Sequence, residues 1–542
     1  MATNKAFEYD IDNALDALVE QFSDSLAFFR ELIQNAIDAG SSEIEIRTEY
    51  NDGVMTIHVD DFGEGMTRKI IDTRLTRLFA SGKDGDYTKI GRFGIGFVSV
   101  FAIEPDLVCL DTSRAGENWR VVFERDRSFT CIERDYPVEG TKIRIIKQVA
   151  PDAYAEFKRR AFEVISFWCK HAAAEITVDG QRVNQSFDLD TQCTVVHREE
   201  GTRITLGLMH DGSNFSGYYN RGLTLWEGTE ETIMPGIGFK IDSRYLEHTL
   251  TRDTILRDDN YEKAMKLTRR LVAKDLTATV FSQLRARASE PEAADTAVTK
   301  EREADALYSL AAPMFELAKS GELASRQRAV PIFRGLDSPP ISIDEANAAA
   351  AMGWLCWDAE TSPISKQMLQ EGWRVIQCER DGPVYQTVSS LVGRLPRASG
   401  SYCIAVKATE KQHPGAADLV GALKNILSGA GAKIKAIEIA SLRYRHSKVA
   451  KRVAIIQQRF GEITAIKEAA AIGMSLFSQS RVLVLNSASE TTQDLMRLAV
   501  REPALAGLLA AKLLFLRDEL GEELDASLAH EAWRERCRRS RT

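Results

Sequence analysis

Glu31, Asn35 and Asp38 lie four and then three residues apart within Phe29-Arg-Glu-Leu-Ile-Gln-Asn-Ala-Ile-Asp-Ala-Gly40. That spacing puts them on one stripe of a helix, beside an apolar stripe of Leu32, Ile33, Ala36 and Ile37. Two carboxylates and an amide on an otherwise buried helix are costly to desolvate. Alone, such a stripe reads as the solvated face of a capped amphipathic helix, but two glycine-rich segments further along the chain reverse that reading. Asp60-Asp-Phe-Gly-Glu-Gly-Met-Thr67 carries a second chemical cue. Gly63 and Gly65 let the backbone approach a flat ligand, and the carboxylate before them can accept a hydrogen bond from an exocyclic amine. Alone, Asp-x-Gly-x-Gly is most often a turn. The third cue is Gly91-Arg-Phe-Gly-Ile-Gly-Phe-Val-Ser-Val-Phe101, a glycine-rich loop opening an apolar helix. Such a loop offers backbone N–H groups to an anion. No Gly-Lys-Ser/Thr comes after it, so it is not Walker A, and it lacks the Rossmann spacing after a first strand.

The elements that must position these cues are legible around them. Good helix formers ending on Gly40 predict a helix, with an amphipathic helix over Ile11–Phe22 leading into it. Glu43–Tyr50 alternates like a half-buried strand, Asn51-Asp-Gly53 is a turn, and Val54–Val59 alternates again, which predicts a hairpin. Phe79–Lys89 is polar and contains glycine, as a mobile lid would be. Glu139-Gly-Thr141 is a turn entering a strand through Ile145.

Composition sets the class. The 542 residues are 44% hydrophobic and 27% charged, an ordinary globular balance with room for roughly three or four domains. A net charge of −8 gives no global basic field, which argues against nucleic acid as the main partner without excluding it. Eight scattered cysteines with no Cys-x-x-Cys argue against a disulfide framework or zinc site and for a reducing cytoplasm. The acidic N-terminus is no signal peptide, and no apolar run reaches the ~20 residues that span a bilayer. A soluble, cytoplasmic protein with no membrane role is expected.

Each cue is weak alone, but the ordered set is specific: a Glu-x-x-x-Asn-x-x-Asp helix, a hairpin, Asp-x-Gly-x-Gly-Met, a lid, Gly-x-x-Gly-x-Gly and Gly-Thr. It resembles the GHKL ATPases: DNA gyrase, the heat-shock protein 90 family, histidine kinases and MutL. Arg-Glu-Leu-Ile-Gln-Asn-Ala-Ile-Asp-Ala and Ile-Gly-Arg-Phe-Gly-Ile-Gly-Phe-Val-Ser look most like the heat-shock 90 (HtpG-type) chaperones. The resemblance implies a GHKL (Bergerat-type) two-layer α/β sandwich over 1–185, with ATP or ADP held between helices and sheet. It gives Glu31 as the general base, Asn35 as the Mg²⁺ ligand, and Asp61 as the acceptor for the adenine amine with Thr141 supporting it through water. Gly65 and Met66 would line the adenine pocket, and Gly91, Gly94 and Gly96 would wrap the phosphates. Asp38, Gly63, Ser81, Gly82, Lys83, Phe93, Ile95 and Phe97 complete the implied nucleotide contacts. Between Ser81 and Gly91 the lid is shorter than is typical of the family.

The fold class expected throughout is α/β (α+β). Asp152–His171 reads as a helix, Glu175–Val183 as a strand pair, and Arg203–Leu208, Gly217–Leu225 and the start at Phe239 as strands of an α/β middle domain over 186–290. A helix is expected next, over Asp258–Leu284. Thr251-Arg-Asp253 resembles the family's Ser-Arg-Glu segment, which makes Arg252 the catalytic arginine. Thr249 and Leu256 replace the asparagine and glutamine expected near it. Ser289–Glu303 marks a boundary. Beyond it, over 300–542, a divergent α/β region has short strands at Val330–Phe333, Trp373–Gln377, Ile404–Val406, Ile434–Ile439 and Arg481–Leu485. The apolar segment Pro503–Leu516 reads as a core helix or a homodimer seam, and the family's C-terminal dimerisation favours the seam. Arg443–Arg452 and the arginines near the C-terminus read as solvated basic patches. The resemblance covers about the first half of the chain. It implies an ATP-hydrolysing homodimer cycling on client proteins. The alternatives are a GHKL switch in DNA maintenance or phage defence, and a histidine kinase, for which no His-containing dimerisation helix precedes the site.

Overall fold

Alternation in β1 (Glu43–Asn51) and β2 (Val54–Asp61) builds the centre of the first sheet. Asp52 at φ 48° and Gly53 at φ 83° make the tight turn between them, the hairpin geometry an Asp-Gly pair supplies. In the computed structural model the described residues are 24–76, 95–248, 254–290, 305–407, 414–473, 475–514 and 522–539. The expected helix at Ile11–Phe22 and the candidates Ser81, Gly82, Lys83, Gly91, Phe93, Gly94 and Arg252 lie outside them. The chain divides into two units, Met1–Thr279 and Val280–Thr542.

Six more strands complete the first sheet: β3 (Leu107–Arg114), β4 (Glu117–Glu124), β5 (Phe129–Glu133), β6 (Thr141–Gln148), β7 (Glu175–Val178) and β8 (Gln181–Arg182). The order is β5-β4-β3-β6-β2-β1-β7-β8, with β1–β7 the one parallel pair among them. On one face Ile44, Ile46, Ile57, Val59, Val108, Leu110, Ile143 and Ile145 are buried beneath α1 (Phe28–Asp38) and α2 (Pro151–Cys169). Each such side chain contributes about 1.5–3 kcal/mol on burial. That layer of contacts, rather than helix propensity, holds α1 in place. The other face is polar: Arg47 pairs with Asp60, and Arg120, Arg134 and Arg144 converge on Asp111.

The same unit holds a second sheet, ordered β12-β11-β13-β10-β9. Its strands are β9 (Thr191–Glu199), β10 (Thr202–Met209), β11 (Phe215–Asn220), β12 (Leu223–Gly228) and β13 (Ile237–Ser243). The helix expected over 258–284 is broken into α3 (Asp259–Leu271), a π turn over Val272–Leu276 and α4 (Thr277–Ser289). Asp258 caps it by accepting from the Asn260 and Tyr261 N–H groups. At the π turn the Thr277 hydroxyl donates to the Val272 carbonyl five residues back.

In the second unit one sheet orders Ser338–Ser342, Pro331–Gly335, Arg374–Gln377 and Leu355–Asp358, and another orders Val406–Lys407, Ile434–Ser441, Arg481–Asn486 and Ala454–Gln457. The strand expected over Ile404–Val406 is instead split into Tyr402–Cys403 and Val406–Lys407, which join different sheets. Pro503–Leu513 is a helix with one buried face. Ala506, Gly507, Leu508, Ala510 and Ala511 are buried, and Gly507 packs so closely on Ala422 of the helix Ala416–Gly429 that a Cβ there would lie 2.8 Å from the Ala422 Cβ. Leu509 and Leu513 stay exposed. No described helix is long and apolar enough to cross a membrane.

Candidate functional site

One end of the site is built where α1 stops. Gly40, at φ 78°, ends the helix. Its N–H donates to the Ile37 carbonyl at 3.0 Å and the Ser41 N–H to the Ala36 carbonyl at 3.0 Å, the paired bonds of a Schellman cap. The Ser41 hydroxyl then accepts from the Phe62 N–H at 2.9 Å, and the Ala39 carbonyl accepts from the Glu64 N–H at 3.0 Å. These bonds moor the Asp61–Met66 bend to the helix end. Sequence reasoning singled out neither Ala39 nor Ser41, and a lone serine after a glycine carries no signal of this role.

Asp61 is buried at the end of β2. Its Oδ1 accepts from the Gly63 N–H at 2.9 Å and the Thr141 N–H at 3.3 Å. Burial pushes its pKa up from the usual carboxylate range, the two backbone bonds oppose that, and the Asp60 charge adds to it. Thr112, fully buried on β3, joins the remaining pieces. It accepts from the Met66 N–H at 2.9 Å, donates to the Gly140 carbonyl at 3.2 Å, and meets the Thr141 hydroxyl at 3.2 Å. Having one proton, already given to Gly140, Thr112 accepts from Thr141, whose own oxygen is left to accept. Gly65, at φ 66°, has the Ser113 carbonyl where a Cβ would stand, at 2.2 Å. Met66 is half-buried against the core. Asp61, Gly63, Gly65, Met66 and Thr141 are therefore brought together, with Thr112 as a partner that sequence reasoning missed.

The other end lies two turns earlier on α1. Glu31 is only 6% exposed. A Cβ on Gly96 would stand 2.5 Å from its Oε2, so the carboxylate rests against the glycine backbone. Arg30 beside it is buried and stacks on Trp168 at 4.6 Å. From the first described residue of the glycine-rich segment, Ile95–Val98 is α-helical and Ser99–Ile103 is 3₁₀. The Ser99 hydroxyl bonds the Gly96 carbonyl, a local bond that competes with the α ladder, and Glu104 at φ 49° ends the segment. The Phe97 side chain is buried in the core, 5.3 Å from the Phe123 ring.

Between the two ends, Asn35 and Asp38 are exposed on α1. Asp38 is not open: its Oδ1 pairs with Arg221 Nη1 at 2.5 Å. Helical rise puts Glu31 and Ala39 roughly 12 Å apart along the axis, so a single rigid element spans the site. Among the described residues no cluster of three or more His, Cys, Asp or Glu forms a metal cage. One exposed amide beside a buried carboxylate suits Mg²⁺, which takes one or two protein oxygens and draws its other ligands from phosphate and water.

Residues 27–154 match the family described as histidine kinase-, DNA gyrase B- and HSP90-like ATPase. The chain is similar to the chaperone protein HtpG of Methylococcus capsulatus, 29% identical over 188 residues that cover 29% of this chain and 30% of that protein. The HtpG of Rhodospirillum rubrum is 28% identical over 226 residues, 34% of this chain and 36% of that protein. The HtpG of Actinobacillus pleuropneumoniae is 25% identical over 219 residues, 34% and 35%. The chain thus spans about a third of the length of the relatives it matches.

Proposed function

We propose that the chain is an ATP-hydrolysing molecular chaperone of the HtpG type, working as a cytoplasmic homodimer on client proteins. What carries this reading is α1, which ties the Glu31–Gly96 contact at one end to the Asp61–Thr141 pocket at the other. Those ends suit the two ends of a nucleoside triphosphate. Asp61 accepts the adenine amine while Gly63 and Thr141 hold its carboxylate still, and the Thr141 oxygen accepts from a bridging water. Gly63, Gly65 and Met66 line the base, with Asp38 at the rim. Gly91, Gly94 and Gly96 offer N–H groups to phosphate, with Ser81, Gly82, Lys83, Phe93, Ile95 and the Phe97 backbone around them. Asn35 would hold Mg²⁺ through its amide oxygen, and the ion would supply positive charge beside the phosphates. Glu31, held in a buried setting, orients the attacking water and takes its proton. Arg252 adds positive charge as the transition state develops. Exposed Leu509 and Leu513 in the second unit suit the dimer seam.

The test is calorimetry with ATP and Mg²⁺ beside phosphate release. Glu31→Ala should bind ATP and lose most turnover, and Asp61→Asn should lose binding, since its amide would turn a donor toward a donor. Wild-type turnover in the first variant or wild-type affinity in the second overturns the assignment. Suppression of client aggregation with and without ATP tests the chaperone role, and DNA-stimulated hydrolysis in its place would favour the switch.

A further inference from the structure

Asp38 ends α1, where unpaired carbonyls make an anion unfavourable, and the last turn of α1 contains no basic residue. The compensating cation comes from the second sheet. Arg221 sits at the tip of the β11–β12 turn and reaches Asp38 Oδ1 at 2.5 Å. The turn that carries it is held from several sides. The Gly222 N–H donates to Asp242 Oδ1 at 3.0 Å and Asn220 Nδ2 donates to the Leu246 carbonyl at 2.7 Å. Gly222, at φ 79°, is pressed so close to the end of α2 that a Cβ would stand 1.9 Å from the His171 carbonyl. The Thr224 hydroxyl donates to the Phe167 carbonyl at 2.8 Å and Lys170 pairs with Glu227 at 2.7 Å. Arg221 itself adopts φ 50°, a backbone state that costs energy for a side chain of its size. The hairpin is therefore anchored by its neighbours, and its guanidinium projects onto the stripe that also carries Glu31 and Asn35.

We propose that Arg221 is a positioning residue of the nucleotide site, holding Asp38 in place and linking occupancy of that site to docking of the second sheet. This rests on the nucleotide reading of α1. If the pair fixes Asp38 for the ligand, ligand binding must in turn strengthen the hold on the hairpin, because coupling between sites is reciprocal. The pair is solvent-exposed, with side chains 56% and 37% accessible, so its share is bounded by what exposed ion pairs supply, about two- to fivefold in an equilibrium constant.

The test uses the full chain and Mg²⁺·ATP. Arg221→Gln should weaken ATP binding by about two- to fivefold, with the loss appearing in KM rather than kcat. Arg221→Lys should restore most of it. In an Asp38→Asn background the same change should have no further effect, while thermal melting confirms that each variant folds. Undiminished affinity in Arg221→Gln, or an equal loss in the Asp38→Asn background, overturns the inference and leaves the nucleotide assignment standing. Failure of the unaltered chain to bind ATP instead overturns the nucleotide reading, and this inference with it.

Discussion

Replacing Gly96 by alanine puts a methyl group where the Glu31 carboxylate now rests. The new Cβ would lie 2.5 Å from Oε2, with the Glu31 Cδ at 3.5 Å and Cβ at 3.6 Å. An ordinary C···O contact is about 3.3 Å, so the oxygen must retreat by roughly 0.8 Å. Only the end of the side chain has to move, because the carbon atoms behind it are already at contact distance. The backbone does not resist the substitution: Gly96 lies in a helix at ordinary φ, where alanine is favoured over glycine by up to about 1 kcal/mol. Folding stability should therefore hold or rise slightly. Chemistry should not. Displacing a reacting group by about 1 Å costs on the order of a hundredfold, so a shift of roughly 0.8 Å should lower turnover about ten- to a hundredfold, or about 1.4–2.7 kcal/mol of barrier.

The assay pairs steady-state phosphate release with calorimetric ATP affinity and a melting curve on the same preparation. The expected signature is a split: turnover falls, while melting temperature and affinity stay close to those of the unaltered protein. Wild-type turnover in Gly96→Ala would show that the Glu31 carboxylate takes no part where it now lies. A turnover loss that tracks a drop in melting temperature would show that Gly96 matters for packing alone.

Two further outcomes can be measured. Arg252→Ala should lower turnover with ATP affinity retained, and an unchanged rate removes that arginine from the mechanism. His248 has both ring nitrogens buried without a hydrogen-bond partner among the described residues, and burial, with the nearby Arg30 charge, pushes its pKa down to about 3. The native imidazole is thus neutral, while the unfolded chain takes up its proton below about pH 6.5. Stability from this residue is complete above that pH and declines as the pH falls toward 3, by up to about 1.4 kcal/mol per pH unit. His248→Leu should reduce the drop in melting temperature between pH 7 and pH 5, and an equal drop in both proteins refutes the assignment.

The parts of the fold that were legible in the sequence are those whose signal is local. The β1–β2 hairpin is dictated by alternation and an Asp-Gly turn, and α1 by its apolar stripe and terminal glycine. One of the chemical clusters was legible for the same reason: Asp61, Gly63, Gly65 and Met66 are neighbours in the chain, so their order carried their geometry. What stayed hidden depends on pairing at long range. Thr112 and Arg221 are single residues in strand and turn, and only strand register and hairpin docking bring them to the Asp61 bend and to Asp38. Burial of the Phe97 ring against Phe123 was hidden for the same reason, since it depends on a strand distant in sequence. The apolar run at Pro503–Leu516 carried two readings: both a core helix and a dimer seam need apolar faces, and only the neighbouring Ala422 reveals how much is consumed inside the unit.

The two ends of the site are held by different physics, and that difference explains why one helix matters so much. At the Asp61 end, backbone hydrogen bonds and glycine contacts fix atoms that tolerate little displacement. At the Glu31 end, a flexible carboxylate is confined by burial and by the absence of a side chain on Gly96. Neither end defines the spacing between them. That spacing is a property of the hydrogen-bonded α1 backbone, whose last turn is locked by the Gly40 cap and the Ser41–Phe62 bond. A slip of one residue in α1 would turn its stripe by about 100°, carrying Glu31 off Gly96 and Asp38 off Arg221 together. The packing of Leu32, Ile33 and Ala36 against the sheet forbids that slip, so the apolar stripe that looks purely structural is what sets the reach of the polar one.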